Sequence, residues 1–383
     1  MSIRTLKSRL QVNLSNLPGW RTRRKIVVIE SDDWGSIRTA NREAYEIMKN
    51  SGLSVAENHY AFDSLESNND LELLFDLLNE FKDSTGRPPV FTPYCNMANP
   101  DFQKIEDSDF KLYTYETLDK TAQSYPDHDR LLSLWKEGEK RRLFSPQLHG
   151  REHIHIGRWM QLLQSGDLGI KIAFTQRSVG PSGYNKVRYG NYLGALHPTS
   201  SDEIPILHEI LKDAGNLFHH YMGHAPDCFV APNAEEPAEL AGTLKEIGVN
   251  TINRAKHRVF PLGDGKFKTE WNWPGKVNEY GQIILVRNAF FEPVCFGEKD
   301  KEHITDWVDN CLKEIEIAFR WRKPAVISSH RVNYIGFINS ENREKGLNEL
   351  RRLLKMILKK WPDVEFMTSK ELSDLIAKQK NIL

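Results

Sequence analysis

Three polar clusters in this chain each close an apolar run: Glu30-Ser31-Asp32-Asp33-Trp34-Gly35, His149-Gly150-Arg151-Glu152-His153 and Ser328-Ser329-His330-Arg331. Two adjacent carboxylates ending a buried strand are costly unless paired, hydrated or bound to a cation. A helix cap accounts for one aspartate but not readily for both. For Asp32 and Asp33, metal or acid–base use therefore weighs about evenly against capping. His149 and His153 are four residues apart. If a helix begins there, both imidazoles face one way and can reach one ion. A chain with 13 histidines produces that spacing by chance, so what distinguishes the pair is its place after an apolar run. His330 reads by default as a core or cap histidine; across a mouth from an Asp/His/His site it is placed to act as a general acid. His155 would point elsewhere on such a helix and reads as local. The same residues spell H-x-x-E-H, the inverted zinc-peptidase signature with Glu152 as base. That reading needs a continuous helix, and Gly150 interrupts it.

Short β-branched runs alternate with stretches of helical period, the pattern of βα units on a parallel sheet. Strands are expected at Ile26–Ser31, Pro89–Tyr94, Leu143–Leu148, Cys228–Pro232, Val249–Arg254, Gln282–Asn288, Ala325–His330 and Val364–Thr368. Helices are expected at Asn41–Ser51, Asp70–Lys82, Glu203–Tyr221, Glu236–Ile247, His303–Arg322 and Arg343–Lys360. Seven or eight such repeats with no linker predict a single (β/α)7–8 barrel over residues 25–383, distorted or incompletely closed, preceded by a basic arm at 1–24. Two segments break the rhythm: 177–202, read as a long loop or lid, and 255–281, read as a hairpin excursion. Barrel chemistry sits at the C-terminal ends of strands, which is where all three clusters fall. Other strand ends add Asn233, Asn253, Arg254, Arg287 and Asn288. With Trp34, Tyr94, Trp271 and Trp273 as flat faces, they make candidate substrate contacts.

The order of these clusters resembles the polysaccharide deacetylase family, the NodB-homology or carbohydrate esterase family 4 group, in a divergent branch with the wording SDDWGS, HGREH and SSHR. The Asp-Asp turn matches that family's T-F-D-D, His149-x-x-x-His153 its H-[ST]-x-x-H, and Ser-Ser-His330 its late L-x-H. The resemblance runs over roughly residues 25–370 and implies a NodB-type glycoside hydrolase/deacetylase barrel. It further implies that Asp33, His149 and His153 bind a divalent metal, zinc first and Co2+, Ni2+ or Mn2+ as substitutes. Asp32 would be the general base and His330 the general acid, in hydrolysis of an N-acetyl or related acyl group on a carbohydrate by metal-activated water. Asn233, Arg254, Arg287, Trp34 and Trp273 are the candidate substrate contacts. Two departures stand out. Gly150 replaces the family's serine or threonine. The arginine of R-x-P-x-G, which holds the base, is absent from Val230-Ala231-Pro232-Asn233-Ala234, leaving Arg254 or Arg287 to approach Asp32 from another strand. That absence keeps a non-catalytic, metal-containing carbohydrate-binding barrel open as an alternative, with the zinc peptidase behind it.

Bulk properties narrow the partners. Of 383 residues, 39% are hydrophobic and 27% charged, with 52 basic residues balancing 52 acidic ones. Such a balance offers no field for nucleic acid. Cys95, Cys228, Cys295 and Cys311 form no C-x-x-C pair, which excludes a zinc ribbon and suits a reducing compartment. No apolar run of about 18 residues and no apolar leader is present, so a cytoplasmic protein is expected. A nucleotide- or lipid-linked sugar suits that location better than a wall polymer. The first 25 residues hold Arg4, Lys7, Arg9, Arg21, Arg23, Arg24 and Lys25 without an acidic residue, and Leu6, Leu10, Leu14 and Leu17 recur among them. Such a segment either lies on an anionic membrane surface or packs its apolar stripe on the barrel.

Overall fold

In a strand, side chains alternate between faces, and β1 (Lys25–Trp34) shows what each face is for. Val27 and Ile29 belong to the large core shared with the surrounding helices. Ile26 and Val28 pack with Ile283, Leu285 and Val326 from other strands, so this second face looks into the barrel. Glu30 and Asp32 continue it toward the strand's C-terminal end. The structure is a computed structural model, and it describes residues 13, 15–53, 55, 60–181, 191–294 and 306–380.

The remaining strands are β2 (Phe91–Asn96), β3 (Ala98–Pro100), β4 (Tyr115–Thr117), β5 (Gln147–Gly150), β6 (Cys228–Phe229), β7 (Thr251–Asn253), β8 (His257–Gly263), β9 (Lys266–Trp271), β10 (Lys276–Val277), β11 (Ile283–Leu285), β12 (Ala289–Phe290), β13 (Ala325–His330) and β14 (Val364–Phe366). The main sheet runs β10-β11-β7-β6-β5-β2-β1-β13-β12, with β14 beside β1. Every neighbouring pair is parallel except β10 with β11. β11 pairs with β7 and β12 with β13, yet only Val286, Arg287 and Asn288 separate the two in the chain. The last staves of this distorted (β/α) barrel are therefore two halves of one split strand. Backbone bonds from Arg254 N to Leu285 O and from Asn288 N to Val326 O hold the split on both sides.

The helix Trp307–Arg320 reaches the β12 side of that seam, its Glu314 accepting from Phe290 N. The N-terminal segment lies against it too, with Asn16 against Asn288 and the carbonyls of Pro18, Gly19 and Trp20 all accepting from Lys323 Nζ. Leu17 is half-buried there, whereas Arg4, Lys7, Arg9, Leu6, Leu10 and Leu14 lie outside the described residues. The barrel floor is closed by Trp20 and by Leu372 and Ile376 of the helix Ser369–Lys380. Among the described residues no helix is long and apolar enough to cross a membrane.

Most expected elements recur with shifted ends. The expected strand Cys228–Pro232 shortens to β6 because Pro232–Ala234 form a 3-10 turn with Asn233 at φ 55°. The expected strand Leu143–Leu148 becomes β5 only from Gln147 onward, with Phe144 joined to Phe91 of β2 by a single parallel bridge. The excursion at 255–281 contains the antiparallel hairpin β8–β9. Within 177–202, Val179, Tyr192 and Leu193 pack into a second apolar cluster, and residues 182–190 lie outside the described ones.

One glycine sets the position of the third cluster. Gly346, in the helix Ser340–Lys360, lies so close to the turn after β13 that a Cβ there would meet the Asn333 carbonyl oxygen at 1.6 Å. Gly346→Ala should therefore destabilise the protein by about 1–3 kcal/mol, the range for overpacking. Urea denaturation of both proteins checks this, and an unchanged midpoint would contradict the close approach.

Candidate active site

Strict alternation would turn Asp33 away from Asp32. Instead the β1–β2 register shifts between Ser31 and Trp34, and Asp33 takes the left-handed φ of 77°. Such an irregularity re-aims a side chain, and positive φ in a non-glycine residue is a local strain held by its surroundings. The result is that both aspartates line one cavity of about 310 Å³, together with Arg38, Tyr60, His149, His153, Asn233, Arg287 and His330. Trp34 then falls on the core side, 1% exposed, edge-on to Phe144 and bonded through Nε1 to Ser31 Oγ. It is a packing residue and presents no face to a sugar.

His149, at the end of β5, points inward. Its Nδ1 donates to the carbonyl oxygen of Val230 at 2.8 Å, which leaves the Nε2 of a neutral ring as a lone pair. That lone pair is buried without a hydrogen-bond partner and faces Asp33 Oδ1 at 3.5 Å. His153 does not share a helix with His149, because residues 151–155 form a loop and the next helix begins at Ile156 with His155 as its cap. The loop brings His153 Nε2 to 3.0 Å from the same Asp33 oxygen. One atom from each of Asp33, His149 and His153 lies within 4.8 Å of the others. Two acceptors face to face in a buried site call for a positive charge between them, and a carbonyl fixing the far nitrogen of an imidazole is the usual outer support of a histidine ligand. The donor set O, N, N suits a divalent transition metal. The other Asp33 oxygen lies 3.4 Å from Arg38 Nη2. Burial would raise the Asp33 carboxyl, but the neighbouring His153, His149 and Arg38 hold it well below the usual carboxylate range.

The H-x-x-E-H arrangement does not form. Glu152 is turned away, bonded to Tyr113 OH at 2.9 Å and to Arg151 Nε at 2.9 Å, and no helix carries the two histidines.

Beside the triad, Arg287 grips Asp32 with both terminal nitrogens, each at 2.6 Å. Burial alone would raise the Asp32 carboxyl; the guanidinium outweighs it and lowers the value. Arg287 was a candidate substrate contact, and here its fork is occupied by protein carboxylates. His330 stands across from Asp32, with Nε2 at 4.0 Å from Asp32 Oδ2 and Nδ1 at 2.7 Å from Glu292 Oε1. Burial would lower this imidazole, but the Glu292 carboxylate more than reverses that and lifts it to about 9.

The other expected contacts divide. Asn233 is on the rim, donating to Asn191. Arg254 turns to Glu236 at 3.5 Å and to the Phe260 ring, outside the cavity. Trp273 packs beside Gly19 of the N-terminal segment and under Lys276, also outside it. Sequence reasoning missed Glu30, Arg38, Tyr60 and Glu292. Glu30 alone carried a legible signal, since it shares the face of Asp32 by period two. A further missed device is Arg331, fully buried between Asp63 and Glu66, while Asp63 also accepts from Arg38.

No known family and no curated protein matches the sequence. Among solved structures, the fold is similar to that titled a putative polysaccharide deacetylase from Mycobacterium smegmatis, at 11% identity and TM-score 0.46 over 95% of this chain and 94% of that one. It is also similar to a putative glycoside hydrolase/deacetylase from Parabacteroides distasonis, at 7% identity and TM-score 0.49 over 94% and 72%. A third is a CE4 family pseudoenzyme from Bacillus anthracis, at 10% identity and TM-score 0.36 over 91% and 65%. At those scores the chemistry has to be argued from the site itself.

Glu292→Gln should return the His330 imidazole toward its ordinary value of about 6.5, read from the ring resonances in a pH titration. Folding raises this group, so its stabilisation is complete below about pH 6.5 and is lost as pH rises through about 9. The variant should lack that alkaline loss; a ring still titrating near 9 would rule out Glu292 as the cause.

Proposed function

We propose that this chain is a metal-dependent hydrolase that removes an N-acetyl or related acyl group from a carbohydrate. The observation that supports it best is the pairing of two devices on one cavity wall. Asp33, His149 and His153 turn one atom each toward a common point, and the arginine-clamped Asp32 faces His330 at 4.0 Å beside them. A divalent ion at the triad, Zn2+ foremost, would polarise the acyl carbonyl and acidify a water at neutral pH.

The chain's own groups do the proton work. Asp32 stays ionised under the guanidinium of Arg287 and accepts the proton of the attacking water. His330 holds its proton up to about pH 9. With Nδ1 engaged by Glu292, its Nε2 is the atom free to protonate the leaving nitrogen. Tyr60 lies edge-on to His330, at 5.4 Å between ring centres, and offers a ring at the cavity wall for a sugar face. Asn233 offers an amide at the rim. The sequence pattern carrying the binding-module alternative was a missing arginine, and the grip of Arg287 on Asp32 supports the enzyme reading instead. A nucleotide- or lipid-linked sugar in the cytoplasm fits best, with the basic residues 1–25 suited to an anionic membrane surface in the lipid-linked case.

The test is amine release from N-acetylated amino sugars by protein stripped of metal and reloaded with zinc or cobalt. His149→Ala should lose the bound metal by elemental analysis, while Asp32→Asn keeps it and loses about 10²–10⁴-fold in kcat, the usual worth of a general base. Equal metal in wild type and His149→Ala would sink the site. Substrate bound but never cleaved by the reloaded enzyme would sink the reaction.

A further inference from the structure

Glu30 is fully buried on the interior face of β1, one alternation below Asp32, and the proton transfers above give it no task. Its Oε1 accepts from Asn253 Nδ2 at 2.5 Å, Ser369 Oγ at 2.6 Å and Tyr94 OH at 3.3 Å. Its Oε2 accepts from Arg287 Nε at 2.6 Å. These donors come from β7, from the helix that closes the barrel floor, from β2 and from the split in the last strand. The carboxylate is thus tied to the frame on all sides.

Arg287 hangs from the gap between β11 and β12, where, among the described residues, no ladder bond fixes its own backbone N–H to a neighbouring strand in the way Arg254 and Asn288 are fixed. A guanidinium on a flexible stem has many orientations, and two carboxylates at its edges leave one. Ser328 Oγ, 3.3 Å from Nη1, and the Tyr94 ring, 5.5 Å from the guanidinium carbon, are consistent with the same orientation. An apolar residue at position 30 would fill the barrel as well and spare the burial of a charge. What it could not do is hold Nε.

We propose that Glu30 is a positioning residue for the reaction. By holding Arg287 Nε, it aims the guanidinium fork at Asp32 and fixes the plane in which the Asp32 carboxylate meets the water. The proposal rests on the hydrolase reading above, in which Asp32 is the base.

Glu30→Gln isolates the contact. The amide oxygen can keep Asn253, Ser369 and Tyr94, while its NH2 group opposes the N–H of Arg287 Nε. Crystal structures and kinetics on an N-acetylated amino sugar are measured for wild type, Glu30→Gln, Asp32→Asn and the double variant. In Glu30→Gln the fork should leave Asp32 and kcat should fall about 100-fold, the scale of a small misplacement. KM should stay within about twofold and metal content should be unchanged. The double variant should be no slower than Asp32→Asn alone, because Glu30 acts only through Asp32. A fork still on Asp32 in Glu30→Gln, or losses that multiply in the double variant, would overturn the proposal. If wild type cleaves no N-acyl sugar, the hydrolase reading fails by itself and the fork in the Glu30→Gln crystal still decides whether Glu30 positions Arg287. Should Glu30→Gln fail to fold, Glu30→Asp keeps the charge and withdraws it from Nε, with the same readouts.

Discussion

Negative charge crowded at the end of β1 is the constraint from which the rest of the site follows. Glu30, Asp32 and Asp33 are all buried, and an isolated buried carboxylate would give up its charge before it gave up water. Cations delivered by other elements hold Asp32 and Asp33 below the usual carboxylate range, and Glu30 is paired with a guanidinium. Arg287 serves Glu30 and Asp32 together. Arg38 divides itself between Asp33 and Asp63, and Arg331 is fully spent on Asp63 and Glu66. Each guanidinium is shared, so positive charge runs short where Asp33 meets the two imidazoles. A site short of positive charge, with a lone pair and a carboxylate facing each other, is one that attracts a cation.

The architecture makes this sharing possible. A barrel of unbroken staves would point every interior side chain straight across the lumen. Splitting the last stave between β11 and β12 places Arg287 at a break, where its long side chain can run along the interior and reach two successive positions of β1. The N-terminal segment lies along the seam of the split through Asn16, Trp20 and the carbonyls gathered by Lys323. Gly346 lets the long helix approach the turn that carries Arg331 and Asn333. Asn333 in turn donates to the Glu292 carboxylate, which holds the proton on His330. His330 and Asp32 are thus supported from opposite sides of the same cavity by unrelated parts of the chain.

Much of this was legible in the sequence, and for a physical reason in each case. Alternation along Ile26, Val28, Glu30 and Asp32 identifies an inward face, and β13 runs over the expected residues because the apolar run Ala325–Ile327 leads into it with no glycine or proline before His330. Spacing marked His149 and His153 as partners, although the reason offered for it, a shared helix, is wrong: a strand end and a loop bring the rings together. Trp34 shows the opposite failure. Next to two candidate site residues in sequence, it is carried into the core by the same irregularity that turns Asp33 inward. Arg254 and Trp273 belong to strand ends and excursions that face other partners, a distinction no periodicity encodes.

The sequence by itself determined the class of fold, the strand ends where polar residues collect, and the kinds of side chain available there, because alternation and apolar runs are local properties of the chain. Only the tertiary structure decided that Asp33 faces inward and that Arg287 grips both Glu30 and Asp32. It also decided that Glu30 stands behind Arg287 and Asp32, and Glu292 behind His330. Those facts depend on a backbone irregularity and on contacts between residues far apart in the chain, such as Arg287 with Asp32. Pairings of that kind exist only once the barrel has closed around them.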